Sequence, residues 1–242
     1  MRGTVPDSRN GPETRQKIID KFSEFVAEHG FEIASVSMLS TALGISKGTV
    51  VHHFPAKNLI MAEAHMQYME RRVREMYRVL EVVSEPEYQL AAMMYAIVRA
   101  HRDDRPGTIS FLREQARFPF GGDVQAMRTL RNEFTAIMTG ILRRGQLTGA
   151  FGFTDLTVTA MQIFGTCNYV WTWLRLDEPA TVEDVSAEFA SNTLRGLCAK
   201  SEHGDRFAPR RLLSFFGSLT SVLEPFYPPD ASSQAAVKRM QA

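Results

Sequence analysis

Cysteine is scarce in this 242-residue chain: Cys167 and Cys198 are the only two, and they form no CxxC pair. That excludes a disulfide-stapled secreted scaffold and points to a reducing cytoplasm. No unbroken apolar run approaches the ~18–20 residues that span a bilayer, and no signal-peptide pattern precedes Pro12. A soluble, cytoplasmic protein with no membrane partner is expected. An excess of one charge is missing too. Lysine and arginine total 28 against 27 acidic residues, a formal net charge of +1. This excludes a histone-like coat of positive charge, yet leaves room for a local basic face. The chain holds no GxSxG elbow, HExxH, Walker loop, or GxGxxG after a strand, so a catalytic helical protein, one competing class, finds no support. The six histidines are scattered apart from His52-His53, and adjacent side chains on a helix diverge by about 100°, a poor arrangement for chelating one metal. No enzyme, metal site or cofactor is expected.

Period-two alternation is also absent, and there is no internal repeat. Helical spacing is abundant instead. Residues 1–12 are rich in Gly, Pro, Ser and charge and read as a flexible arm. Ile18, Ile19, Phe22, Phe25 and Val26 then mark one apolar stripe, which His29-Gly30 ends with a residue suited to a left-handed cap. Ser35 stands at an N-cap position ahead of Val36, Leu39 and Leu43. Gly44 breaks the run, and Ser46 caps a short helix carrying Val50 and Phe54. Pro55 is expected to open a fourth helix, where its missing N–H is harmless. Further helices are expected at about 56–82, 87–103, 107–117, 122–147, 155–176 and 181–199, then a loop at 200–208 and one more helix from Leu212 to Leu223. The tail after Pro225 reads as disordered. The fold class is all-α, an N-terminal three-helix helix-turn-helix domain followed by a larger helical domain. The expected boundaries are 1–12 for the arm, 13–59 for the helix-turn-helix domain (the motif at about 35–54), 60–200 for the helical domain, and 201–242 for a partly disordered extension.

The segment from Ser35 to Phe54 carries the function. Two short helices crossing steeply need a tight turn, which Gly44 supplies. Leu39, Leu43, Ile45 and Val50 then face the first helix, leaving Lys47, Thr49, His52 and His53 on the outer face of the third. Such a face suits the major groove of double-stranded DNA. Lys47, Lys57 and the helix start near Pro55 can grip phosphates, which position without reading sequence. No acidic residue occurs between Ser35 and Ile60. The alternative for these two helices alone is a solvated polar face.

Over about 45 residues from Thr14 to Ile60, the chain resembles the DNA-binding domain of the TetR family. The likeness is carried by Gly30-Phe31, by Leu43-Gly44-Ile45-Ser46-Lys47-Gly48-Thr49 and by His52-His53-Phe54-Pro55-Ala56-Lys57. It implies DNA contacts by Ser35, Ser46, Lys47, Gly48, Thr49, His52 and His53, with Lys57 on a phosphate. Three positions depart from the family pattern. Ser40 stands where Ala is usual, Ser37 where a longer polar residue is common, and Val51 where an aromatic, usually Tyr, often touches DNA. These changes bear on which operator is read.

The resemblance also implies that residues from about Ala56 onward form a ligand-sensing and dimerisation domain. Residues 155–176 are apolar on more than one face, so they must be covered on two sides. Together with residues 181–199 they are expected to pair with their symmetry mates in a homodimer, which suits a palindromic operator; a plain monomer core is the alternative. Met93, Met94, Ile97, Phe111, Phe134, Met138, Phe164 and Trp171 are the candidate lining of a pocket for a hydrophobic small-molecule effector. The segment Gly165 to Trp173, with Asp177-Glu178-Pro179 and Arg195-Gly196-Leu197, is similar to TetR-type repressors that respond to acyl-CoA thioesters. That likeness implies a basic mouth for CoA phosphates, with Arg113 or Arg117 in the role; a solvated arginine face is the plainer alternative. Cys167 is expected to be a small buried hydrophobe rather than a redox sensor, since no basic neighbour in sequence would lower its pKa. The implied function is a repressor released from its operator when the effector shifts the long helix that begins near Ala56. A multidrug-type repressor of an efflux gene and a DNA-binding protein without a ligand are the alternatives.

Overall fold

The computed structural model describes residues 11–114, 124–175, 181–198 and 209–226. Among them every regular element is helical, as the periodicity predicts. In chain order these are α1 (Gly11–His29), α2 (Val36–Leu43), α3 (Lys47–His53), α4 (Lys57–Val82), α5 (Pro86–Asp103), α6 (Arg105–Glu114), α7 (Val124–Leu147), α8 (Leu156–Asn168), α9 (Val182–Leu197) and α10 (Pro209–Leu223). The tail from residue 227 lies outside the described residues.

Two boundaries differ from expectation for local reasons. Pro55 does not open α4, which starts at Lys57. A residue before proline is pushed out of the helical region; Phe54 accordingly sits extended, at φ −140° and ψ 102°, and ends α3. Pro55 therefore terminates one helix rather than beginning the next. The expected helix at 155–176 keeps its α form only to Asn168, then tightens into a 3-10 turn, Tyr169–Thr172. The aromatic and β-branched run Tyr169-Val170-Trp171-Thr172 is a poor α-helix former.

The chain folds into two compact units. One comprises the described residues within Met1–Glu70 and Arg105–Arg131, the other those within Arg71–Asp104 and Asn132–Ala242. This grouping differs from a linear boundary at residue 59 or 60. Helix α6 joins α1–α3, and α4 contributes to both units. In the first unit Ile18, Phe22 and Val26 of α1 pack with Leu39, Val50, Phe54 and Ile60 in one core. Phe111 of α6 lies 4.9 Å from the ring of His65 and 4.8 Å from that of Tyr68.

In the second unit α5 is buried on every side from Leu90 to His101, which requires neighbours all round. It packs against α8, α9 and α10. Tyr95 stacks on Phe216 of α10 with ring centroids 4.5 Å apart, and Leu212, Leu219 and Leu223 complete the buried face of α10. In the single chain, Val158 and Met161 of α8 and Tyr169 of the following 3-10 turn are exposed. Cys167 is wholly buried, and burial pushes its thiol up to about 12, the state of an inert hydrophobe.

Charges are buried as well. Arg72 donates to Glu75 at 2.8 Å, both almost without solvent contact, and Arg99 bonds Asp103. Arg102 donates to both carboxylate oxygens of Glu183 at 3.0 Å, and Tyr95 donates to the same carboxylate. Burial pushes the carboxyl of Glu75 up to about 7 against the pull of Arg72, Arg99 and Arg71. In the first unit, burial holds His65 down at about 3.

These two groups act on stability with opposite signs. Between pH 4.5 and about 7 folded Glu75 keeps a proton that the unfolded chain releases, so stability falls as pH rises through that window. Between pH 6.5 and about 3 folded His65 refuses a proton that the unfolded chain binds, so stability falls as pH falls. The two slopes cancel between about pH 4.5 and 6.5, so urea unfolding should show a plateau there, with a loss below it from His65 and a smaller loss between 6.5 and about 7 from Glu75. Glu75→Gln should remove the alkaline-side loss, worth on the order of 1.4 kcal/mol per pKa unit, and let the acid-side loss begin near pH 6.5. An unchanged alkaline limb would mean that Glu75 is already ionised in the folded protein.

Candidate nucleic-acid interface

The first unit builds its outer face from local capping. Ser35 accepts the N–H of Met38 at 3.3 Å and starts α2. Gly44 closes α2 in the left-handed conformation, φ 64° and ψ 29°, with its N–H aimed at the carbonyls of Ser40 and Thr41. A side chain there would meet no atom within 4 Å, so the constraint is backbone conformation, not space. Ser46 then caps α3 by accepting the N–H of Thr49 at 2.9 Å. Val50 turns inward and is fully buried. Leu43 and Ile45 pack against the same core.

The α3 side chains opposite Val50 are open to solvent. Lys47, Gly48, Val51 and His52 are exposed, while Thr49 and His53 are half-buried. The hydroxyl of Thr49 lies 2.9 Å from that of Ser46, so these two expected DNA-contacting groups bond each other. His53 is held below the usual imidazole range by burial and by the charges of His52 and Arg15. Behind α3, the Arg15 guanidinium lies 4.5 Å from the Phe54 ring and 2.9 Å from Glu63; its hydrogen bond holds Glu63 below the usual carboxylate range.

Lys57, expected on a phosphate, reaches back to the turn before α2. Its ammonium donates to the carbonyl oxygens of Phe31 at 2.9 Å, Glu32 at 3.2 Å and Ala34 at 3.2 Å, using all three of its donors. It also lies 4.5 Å from the Phe31 ring centroid. From the other side α6 grips the same turn. Arg113 donates to the Ala27 carbonyl at 2.8 Å, and buried Glu114 accepts the N–H of Phe31 at 3.3 Å. Gly30, at φ 85°, passes so close that a Cβ would meet the Arg113 guanidinium at 3.2 Å. Arg113 thus braces the helix-turn-helix.

The expected pocket residues divide between the units. Met93, Met94 and Ile97 are buried on α5, Met138 is buried on α7, and Phe134 stacks on Phe164 at 5.7 Å. Trp171 is half-buried in the 3-10 turn. All seven belong to the second unit, whereas Phe111 and Arg113 belong to the first. Arg117 lies outside the described residues. Sequence reasoning missed Glu114 as a brace, for its partner is 83 residues away and no local pattern signals it. Val51, which the resemblance marks as a position that often touches DNA, lies exposed on the same face.

Residues 18–64 match the family model described as bacterial regulatory proteins, tetR family, and residues 83–197 match that described as tetracyclin repressor-like, C-terminal domain. The chain is 21% identical over 208 residues to the HTH-type transcriptional repressor KstR2 of Mycolicibacterium smegmatis, covering 84% of this chain and 100% of that protein. Among solved structures, the ketosteroid transcriptional regulator KstR2 of Mycobacterium tuberculosis superposes with a TM-score of 0.72 at 18% identity, over 82% of this chain and 98% of that one. AibR, in complex with isovaleryl coenzyme A and operator DNA, superposes with a TM-score of 0.67 at 18% identity, over 74% of this chain and 96% of its own.

Replacing Lys57 with Met would strip three carbonyls of their charged donor while keeping the side-chain stem. The expected cost is about 1.5–3 kcal/mol in urea unfolding, the usual range for hydrogen bonds to a charged group. Lys47→Ala, at an exposed position, should leave the midpoint within about 0.5 kcal/mol. Equal midpoints for the two variants would mean that water replaces the ammonium at no cost.

Proposed function

The chain belongs to the TetR family of bacterial DNA-binding transcriptional regulators, and on that premise we propose that it is a ligand-released repressor. In this reading two copies hold a palindromic operator, each placing α3 in the major groove. A hydrophobic effector of the acyl-CoA class then weakens the complex. The observation that carries the DNA half is the braced turn: α2 and α3 are locked by two serine caps and a left-handed glycine, with Lys47 and His52 outward. An exposed face of donors on a rigid short helix suits base edges.

Dimerisation is supported by α8 and the 3-10 turn after it, which keep the large apolar side chains Val158, Met161 and Tyr169 exposed. The exposed positions of α9 are polar by contrast, with Asp184, Glu188, Asn192 and Arg195 among them. In a twofold dimer the two α3 helices would lie about one DNA turn apart, ~34–36 Å. The effector class is supported by AibR, a structural neighbour whose complex holds isovaleryl coenzyme A. Met93, Met94, Ile97 and Met138, with the Phe134–Phe164 pair, supply adaptable apolar side chains in the second unit. Long helix α4 contributes residues to both units and is the element through which an effector would act on α3.

Fluorescence anisotropy on operator DNA, titrated with isovaleryl-CoA and with isovaleric acid, tests this reading. The thioester should weaken binding by about 5–150-fold, the span of ordinary allosteric couplings, and the free acid should not. Lys47→Ala should weaken operator binding about tenfold or more, one charge-assisted base contact being worth about 1–3 kcal/mol, while leaving thermal stabilisation by the thioester intact. Release by hydrophobic cations but not by thioesters would replace the effector class with that of a drug-responsive regulator. Failure to bind any duplex above the nonspecific level would overturn the whole reading.

A further inference from the structure

Helix α9 presents a polar row that makes little use of its charges within the chain. Glu188, Asn192 and Arg195 are exposed and stand at steps of four and three residues, so they share one face of the helix. Glu188 and Arg195 are two turns apart, roughly 10 Å along the axis, beyond the three- or four-residue spacing of an intrahelical pair. Asn192 donates to Glu188 at 3.2 Å, and Arg195 forms no salt bridge among the described residues. One flank of this row is apolar. Phe189, next to Glu188, is half-buried and meets the ring of Trp173 at 6.2 Å. Trp173 is 47% exposed and directly follows the 3-10 turn, whose Tyr169 is exposed like Val158 and Met161 of α8. The apolar surface thus runs up to the charged row through the Trp173–Phe189 contact.

Twofold symmetry makes this row complementary to itself. Where a twofold axis crosses α9 at right angles, the two copies of the helix run antiparallel, and a contact from residue i to residue j is repeated from j to i. With the axis between Ser191 and Asn192, Glu188 of one copy faces Arg195 of the other, because both stand equally far from it. A parallel arrangement would set each charge against its own like. We propose that α9 meets the α9 of a second copy of this chain, and that two Glu188–Arg195 pairs across the axis select that partner and fix its register. The inference rests on the dimer reading above and adds the residues that choose between partners. Exposed pairs of this kind contribute little affinity, but a related chain with a different charge at either position would place like charges together and be rejected. Asn192, beside the axis, faces its own mate, and a polar residue at such a point specifies register between helices.

Charge reversal tests the pairing in the full-length protein. Sedimentation equilibrium gives the dimer dissociation constant for the wild type, Glu188→Arg, Arg195→Glu and the variant carrying both changes. Each single reversal turns both attractions into repulsions, so the constant should rise about tenfold or more at low salt. Ionic strength near 0.5 M should shrink that rise to about a few fold. The double reversal restores opposite charges and should return the constant to near the wild-type value, while excluding the wild type from mixed dimers. Mixed in equal amounts, the two single variants should form mainly heterodimers by native mass spectrometry, well above the roughly one half that random exchange produces, because both pairs are then restored. This rescue separates pairing from damage to the fold, since two misfolded chains do not repair each other. The proposal alone is overturned if the wild type dimerises and the single reversals leave its constant unchanged, or if the mixed variants stay at random proportions. A wild type that remains monomeric at every concentration would overturn it together with the dimer reading.

Discussion

The turn between α1 and α2 is the constraint on which the reading head depends. It contains polar main-chain groups that helix bonding does not satisfy, and such groups must find partners when they are buried. The chain meets this requirement from two distant places. Lys57, at the start of α4, gathers three carbonyls of the turn, while Arg113 and Glu114, at the end of α6, take the Ala27 carbonyl and the Phe31 N–H. With the turn fixed, α2 is fixed, and Gly44 then leaves α3 a single direction. The polar groups on the outer face of α3 remain free to face a ligand because other residues do the holding.

The second unit uses charge differently. There, salt bridges join α4 to α5 and α5 to α9, within a region that is otherwise apolar. Arg71 pairs with Asp104, and Arg102 with Glu183. Both pairs are reached by solvent, so each adds little net stability. Their geometry still favours one register of the joined helices over another. Apolar contacts among Met93, Met94, Ile97 and Met138 carry no such preference and can repack. A unit with a pinned frame and an adaptable filling is well suited to take up a hydrophobic guest without changing its helix order.

What could be read in the amino-acid order follows the range of the interaction. Ser35, Gly44 and Ser46 act within three or four residues of themselves, and their positions were legible from spacing. So was the all-helical class, which needs only periodicity. Pro55 was misread because two local rules compete at it, and its effect on Phe54 prevails over its own tolerance for a first helical turn. The role of Lys57 was hidden because its partners lie 23 to 26 residues back, and that of Arg113 because its partner lies 86 residues back. Residues 155–176 and α5 are both rich in apolar residues. Only packing distinguishes the helix buried on all sides from the one with a face left open.

The 83 residues between Phe31 and Glu114 bear on how the protein is made. Chains leave the ribosome at roughly 5–20 residues per second, so α1, α2 and α3 exist for several seconds before the brace from α6 has been synthesised. During that interval the three helices and the first turns of α4 form a head secured on one side only. A nascent chain, or a fragment cut at residue 64 where the matched DNA-binding segment ends, would thus carry the reading side chains without the geometry that aims them. The order of synthesis leaves the turn held by Lys57 alone until α5 and α6 of the same chain have been made.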